Sequence, residues 1–293
     1  MSERFEDVAS VTAALEGVGY LPDARISGTV FLATRLGKPV LVEGPAGVGK
    51  TELAKAVAAA TGSKLLRLQC YEGLDEAKAI YEWNYKKQLL RIQADREHEG
   101  DWATVESDIF SEPFLLERPI LAAIRATEPV VLLIDEIDRV ELETEALLLE
   151  VLSDFQVSIP EMGTVVAVQR PIVFLTSNNT RELSEALKRR CLFLPIEYPT
   201  PEREEAIIRT RVPEIDETLA KQVAEVVATI RSFDLKKSPS VSETIDWART
   251  LLLLGRSEID GDVLDDTLSV LLKYQTDLTK ARKQLAAVPK VSA

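Results

Sequence analysis

The feature that most narrows what this chain can fold into is the run Gly44-Pro45-Ala46-Gly47-Val48-Gly49-Lys50-Thr51. It satisfies G-x-x-x-x-G-K-[ST], and the flanking sequence supplies the context that gives the pattern meaning. Lys38-Pro-Val-Leu-Val42 leads in as a short buried strand, and Glu52-Leu-Ala-Lys-Ala-Val-Ala-Ala-Ala60 leads out as a helix. Glycines let the backbone wrap until its N–H groups face phosphate oxygens, and the helix N-terminus adds partial positive charge. The pattern predicts a nucleotide site cradled by residues 44–52, Gly44 to Glu52, with Lys50 on the β- and γ-phosphates and the Thr51 hydroxyl on Mg2+. The alternative is a glycine-rich strand-to-helix turn with no ligand.

Composition removes several other classes. Of the 293 residues, 46% are hydrophobic and 28% charged, so the chain can bury a real core and belongs with soluble globular proteins. A formal net charge of −13 argues against a partner made of nucleic acid, which would favour a basic face. Two cysteines, Cys70 and Cys191, make no disulfide framework and point to reduced thiols in the cytoplasm. The one histidine, His98, sits among charged residues and is expected in solvent. A single His and two distant Cys cannot assemble a usual zinc or His-triad site. No apolar run approaches the ~18 residues of a transmembrane helix. The start, Met1-Ser-Glu-Arg-Phe-Glu-Asp7, is acidic where a secretory leader would be basic and then apolar.

Periodicity along the chain alternates strands with helices up to Tyr198. Helices are expected over Ser2–Glu16, Ile26–Leu36 (with Gly37 as C-terminal cap), Asp75–Trp83, Lys86–Arg96, Arg118–Thr127 and Glu143–Leu152. Strands are expected at Lys38–Val42, Lys64–Gln69, Val130–Ile134, Pro171–Thr176 and Leu192–Ile196, and a β-hairpin at Phe155–Ala167 around Glu161-Met-Gly163. The aromatic residues of Tyr71–Leu116 are read as packing groups, with a partner-binding surface the alternative. After Thr200-Pro201, which fits a cap followed by proline in a first turn, only helical spacing remains: Glu202–Arg211, Glu217–Ser232, Val241–Leu254 and Asp262–Gln275 with a basic tail. The expected architecture is an α/β P-loop core of parallel strands with helices on both faces (residues 1–197), a helical lid (198–287) and a disordered tail (288–293).

Three further motifs complete the phosphate site. Val131-Leu-Leu-Ile-Asp135-Glu136 delivers an acidic pair to the carboxyl end of a strand, where α/β sheets hold ligands. Asp135 suits the metal, usually through its water, and Glu136 suits a base that orients the attacking water. Thr176-Ser-Asn178-Asn179 puts an amide at another strand end, able to reach the γ-phosphate or the lytic water; an Asn-rich turn is the alternative. Leu187-Lys-Arg189-Arg190-Cys191 closes a short helix with cations, either to offset the helix dipole or to reach a neighbouring subunit's γ-phosphate.

In this order, and followed by a helical region, the four elements resemble an AAA+ ATPase. The finer pattern is similar to the MoxR family: Glu43-Gly-Pro-Ala-Gly-Val-Gly-Lys-Thr51, Asp135-Glu-Ile-Asp-Arg139, an inserted hairpin, and Ser184-Glu-Ala-Leu-Lys-Arg-Arg-Cys-Leu-Phe193. Tyr71-Glu-Gly-Leu-Asp75, Tyr81-Glu-Trp-Asn-Tyr85 and Thr176-Ser-Asn-Asn-Thr-Arg-Glu-Leu183 look most like its CoxD-type branch, linked to carbon monoxide dehydrogenase maturation. The resemblance spans roughly Gly17 to Leu254. It implies Lys50 and Thr51 as Walker A, Asp135 and Glu136 as Walker B, Asn178 as sensor 1 and Arg190 as arginine finger, with Arg189 the competitor because Cys191 stands where the family has an aromatic. Lys237-Ser-Pro-Ser-Val-Ser242 has serines where the family offers a sensor 2 arginine, and Arg249 lies further along that helix. The resemblance also implies ATP with Mg2+, a hexameric ring, a partner with a von Willebrand factor A domain, and a protein client among metalloenzymes that the ATPase remodels or loads with cofactor. In that picture the hairpin is a remodelling element; an edge ornament on the sheet is the alternative. Two other functions remain as alternatives: a nucleotide-binding regulatory module without turnover, and a nucleic-acid-linked motor.

Overall fold

The computed structural model describes residues 5–95, 106 and 108–287. In chain order its elements are α1 (Val8–Gly17), α2 (Ala24–Leu36), β1 (Val40–Glu43), α3 (Lys50–Ala60), β2 (Lys64–Gln69), α4 (Glu76–Ala79), β3 (Tyr81–Trp83), α5 (Tyr85–Asp95), β4 (Leu115–Glu117), α6 (Pro119–Arg125), β5 (Val130–Asp135), α7 (Leu142–Asp154), β6 (Gln156–Ile159), β7 (Gly163–Val166), β8 (Ile172–Ser177), α8 (Glu185–Arg190), β9 (Leu192–Pro195), α9 (Pro201–Arg211), α10 (Glu217–Arg231), α11 (Val241–Leu253), α12 (Gly261–Leu271) and α13 (Gln275–Ala287). They form two compact units, one spanning Met1–Val18, Pro22–Glu43 and Lys50–Pro195, the other Gly19–Leu21, Gly44–Gly49 and Ile196–Ala293.

The first unit is built on a five-stranded parallel sheet in the order β2-β5-β8-β1-β9. Every residue of β5 and β8 is buried, as expected for central strands covered on both faces. Leu132 and Ile134 join Ile120, Ile124 and Leu148 in one core cluster, while Val131 and Leu133 alternate to the opposite face and are equally buried. Helix ends are set by local chemistry. Asp7 and Ser10 make a reciprocal capping box that starts α1, and Gly37, at φ 62°, ends α2 in the left-handed conformation.

The hairpin is present: β6 and β7 pair antiparallel from Gln156↔Val166 to Ile159↔Gly163, and both strands contact α6. The expected helix over Asp75–Trp83 is corrected. Only Glu76–Ala79 is helical, and Tyr81–Trp83 is a strand paired with Leu115–Glu117. Aromatic residues fit a pleated surface well, but the partner strand lies more than thirty residues away, beyond the reach of a periodicity argument. Aromatic packing is realised for part of this segment. Trp83 is buried and stands edge-on to Tyr81 and Phe110, whereas Tyr71 and Tyr85 are exposed. The first helix starts at Val8, later than expected, because Asp7 caps it. His98 and the tail 288–293 lie outside the described residues.

In the second unit, Thr200 accepts a hydrogen bond from Arg203 N (3.4 Å) with Pro201 in the first turn of α9. Ser240 and Glu243 form a capping box on α11. The core centres on fully buried Trp247, whose Nε1 donates to Thr267 Oγ1 (2.8 Å), among Leu219, Val223, Val227 and Leu251. Buried Glu204 on α9 is paired with Arg231 on α10 and accepts from Thr244 Oγ1 on α11 (2.8 Å), and the Arg231 guanidinium also donates to Pro239 O (2.8 Å). The single final helix expected over Asp262–Gln275 is corrected: Leu272 is extended, and two helices, α12 and α13, flank it. Asp277 on α13 is buried and accepts from Lys236 N (3.0 Å) and Lys237 N (3.2 Å), interactions that repetition along one helix cannot reveal.

Candidate functional site

Strands β1, β8 and β5 are neighbours and parallel, so their carboxyl ends lie side by side. Glu43 registers with Ser177, and Ile134 with Leu175. The chain leaves β1 through the glycine-rich loop and enters α3 at Lys50. A Cβ on Gly44 would stand 1.9 Å from the Ile196 carbonyl oxygen, so only glycine fits. Gly49 has φ +97°, and a Cβ built there meets nothing within 4 Å, so glycine is required for backbone conformation rather than for space.

Four predicted residues converge at these strand ends. Lys50 Nζ donates to Asn178 Oδ1 (2.8 Å), and Thr51 Oγ1 donates to Asp135 Oδ1 (3.0 Å). Lys50 is only 6% exposed; burial pulls its ammonium below the ordinary lysine range, and the charges of Asp138, Asp135, Glu136 and Glu43 work in the opposite direction. Asp135, 3% exposed, also accepts from Thr176 Oγ1 and from the Arg67 guanidinium, Nε at 3.0 Å. Thr51 and Asp135 offer only oxygen donors, a hydroxyl and a carboxylate, the sparse hard set that suits Mg2+ with retained waters. Among the described residues, no group of three His, Cys, Asp or Glu could hold a metal by itself.

Glu136 follows with a left-handed backbone (φ 58°, ψ 50°), its N–H on Thr176 Oγ1 (2.9 Å) and its carboxylate paired with Arg139 (2.7 Å). A non-glycine residue in this region is uncommon and is held here by its surroundings. Asp138 ties the acidic turn to the β8 loop: its Oδ2 accepts from Asn178 N (3.2 Å), Thr180 N (3.0 Å) and Thr180 Oγ1 (2.6 Å). Burial pushes the Asp138 carboxyl up, but these donors outweigh it and leave the group below the ordinary carboxylate range. Arg181 next to this loop is paired with buried Glu145 on α7 and donates to Val140 O (2.7 Å). A cavity of about 560 Å³ opens beside this turn, bordered by Asp138, Arg139, Glu141, Leu142, Thr180 and Arg181 among others.

The two candidate fingers lie at the end of α8, both exposed. Arg190 donates to Ser153 Oγ and to Ala186 O (3.0 Å), and Arg189 pairs with Glu185 (2.9 Å). Neither is among the residues that meet Lys50 or Asp135 above. In the second unit, Arg249 pairs with Asp246 (3.7 Å) and reaches Arg211 O (3.4 Å). The loop carbonyl of Gly47 accepts from Val241 N (3.0 Å), at the start of the helix that follows the serine-rich segment. Burial pushes the thiols of Cys70 and Cys191 up to about 12, so both are protonated near neutrality.

Sequence reading did not single out Arg67 and Thr176 as Asp135 partners, nor Asp138 and Arg181 as anchors of the β8 loop. A signal existed for Arg67. With Gln69 it places two polar residues on one face of a strand near the carboxyl edge of the sheet.

Residues 39–191 match the model of the AAA domain, dynein-related subfamily. A curated relative, the uncharacterized protein SH1500 of Staphylococcus haemolyticus (strain JCSC1435), is 25% identical over 224 residues, 74% of this chain and 76% of that one. Among solved structures, one mutant of RuvB from Thermotoga maritima superposes with a TM-score of 0.51 at 19% identity, over 91% of this chain and 73% of its own. A second mutant of that RuvB gives 0.51 at 20% identity, over 84% and 67%. These structural likenesses concern the fold. No helix among the described residues is long and apolar enough to cross a membrane.

Proposed function

The chain belongs to the AAA domain family, dynein-related subfamily, and from that premise we propose that it is a Mg2+-dependent ATP hydrolase working as an oligomeric remodeller of another protein. The observation that carries the reading is the direct hydrogen bonding of Lys50 to Asn178 and of Thr51 to Asp135 across three adjacent strand ends. Residues 44–52, Gly44 to Glu52, cradle the phosphates with backbone N–H groups. Lys50 takes the β- and γ-phosphate oxygens, and its partner Asn178 reaches the γ-phosphate or the attacking water. Thr51 and Asp135 would hold Mg2+, which would supply positive charge to offset that of the phosphates. Glu136 orients and partly deprotonates the water, after its carboxylate leaves Arg139.

Arg190 supplies the finger to a neighbouring subunit, with Arg189 as the competing residue. The finer reading is a MoxR-like, CoxD-type ATPase: a hexameric ring in the cytoplasm, a partner with a von Willebrand factor A domain and a metalloenzyme client. Sequence motifs around Tyr71, Tyr81 and Thr176 and the β6–β7 hairpin support it. Residues 1–197 form the catalytic core and 198–287 a lid. ATP in preference to GTP follows from the resemblance.

Steady-state phosphate release with purified protein is the test. Glu136→Gln should lower release at least ~100-fold while nucleotide binding stays within about twofold, because it removes a base and leaves the phosphate cradle. A wild type that binds nucleotide but releases no phosphate would replace the enzyme reading with a regulatory module.

A further inference from the structure

Asp135 sits at the end of β5, and the neighbouring strand β2 registers Arg67 with Leu133 and Gln69 with Asp135. Arg67 is therefore the diagonal neighbour of Asp135 on the same sheet face, within reach of a long side chain. Its guanidinium grips one carboxylate oxygen twice, Oδ2 from Nε (3.0 Å) and from Nη2 (2.5 Å). Thr51 Oγ1 and Thr176 Oγ1 take the other oxygen. Asp135 is thus a buried carboxylate whose charge is balanced by a cation that is itself 48% exposed at the side chain.

We propose that Arg67 is a built-in competitor for the metal at Asp135, setting the Mg2+ concentration at which this site loads. The inference rests on the reading of Asp135 as the metal-holding carboxylate. Guanidinium and divalent cation seek the same charge and repel each other, so occupancy by one disfavours the other. Arg67 is equipped to let go. It lies on the sheet's edge strand, half open to water, and Nη2 already donates to Gln69 Oε1 on the same face. Gln69 and solvent therefore provide a second, metal-compatible position, and Arg67 leaves Asp135 neutralised whenever divalent cation is scarce.

The test titrates Mg2+, and separately Mn2+, into full-length protein with a fluorescent ADP analogue, reading nucleotide binding rather than turnover. Arg67→Gln should lower the half-saturating Mg2+ about tenfold, equivalent to about 1.4 kcal/mol, with metal-free nucleotide binding changed less than twofold. Arg67→Lys, which keeps the charge, should stay within about threefold of wild type. A half-saturating Mg2+ unchanged or raised in Arg67→Gln overturns the proposal. Asp135→Asn separates the two levels of the argument. If it abolishes the metal dependence while Arg67→Gln has no effect, Asp135 keeps its role and only the competitor falls. If wild-type binding is indifferent to metal, both fall.

Discussion

Asp138 shows how a single carboxylate can order the loop after β8. Three donors from the β8 loop converge on its Oδ2, and two of them belong to backbone or side chain of Thr180 and one to the backbone of Asn178. The residue that offers its amide to Lys50 is thereby positioned through its own main chain. Because the folded carboxyl lies below its ordinary value, its contribution to stability is complete above the normal carboxylate range near pH 4 and lost as pH falls through the lower folded value. Asp138→Asn should flatten the acid limb of unfolding free energy measured in urea between about pH 5 and pH 2, and should cost about 1–3 kcal/mol at neutral pH through unbalanced buried donors. An acid limb identical to wild type would show that Asp138 is not the titrating group.

Among elements, the short strands and helices divide by the kind of signal that specifies them. Strands β2, β5 and β8 were legible because they are apolar runs in a βαβ alternation, α2 because Gly37 fits its C-terminal cap, α9 because Thr200-Pro201 marks its start, and α11 by helical spacing alone, its Ser240 cap coming to light only in the structure. The strand at Tyr81–Trp83 was not, because its partner at Leu115–Glu117 is distant in sequence. The helical unit makes a sharper energetic statement. Glu204 is fully buried and shares Arg231 and Thr244 across three helices. Removing one partner strands the other charge in a low dielectric, so Glu204→Ala should cost about 3–5 kcal/mol in urea unfolding. A loss under about 1 kcal/mol would mean that Arg231 finds water instead.

For the whole molecule, the decisive question is whether the proposed hydrolysis needs a neighbour. Arg190 is exposed and bonded to Ser153 and Ala186 within its own chain, while the Lys50–Asp135 constellation forms without it. Arg190→Ala should leave nucleotide binding within about twofold and lower phosphate release at least tenfold, the order expected for a finger acting in trans. Mixing Arg190→Ala with Glu136→Gln should recover part of the activity, since each inactive protein supplies what the other lacks. Wild-type-like release by Arg190→Ala alone would rule the finger out and direct attention to Arg189.

The sequence by itself determined the local and the repetitive: the glycine loop, the apolar strands, the acidic pair at a strand end, the hairpin turn, the helix caps. Each is written within a dozen or so contiguous residues, where backbone sterics and side-chain period act directly. Only the tertiary structure decided what those strand ends face. Strand order put β8 between β1 and β5, bringing Asn178 to Lys50 and Thr176 to Asp135. Strand register brought Arg67 onto the same carboxylate. Sheet order and register depend on long-range burial and pairing, which the spacing of residues along one chain does not encode in a readable form.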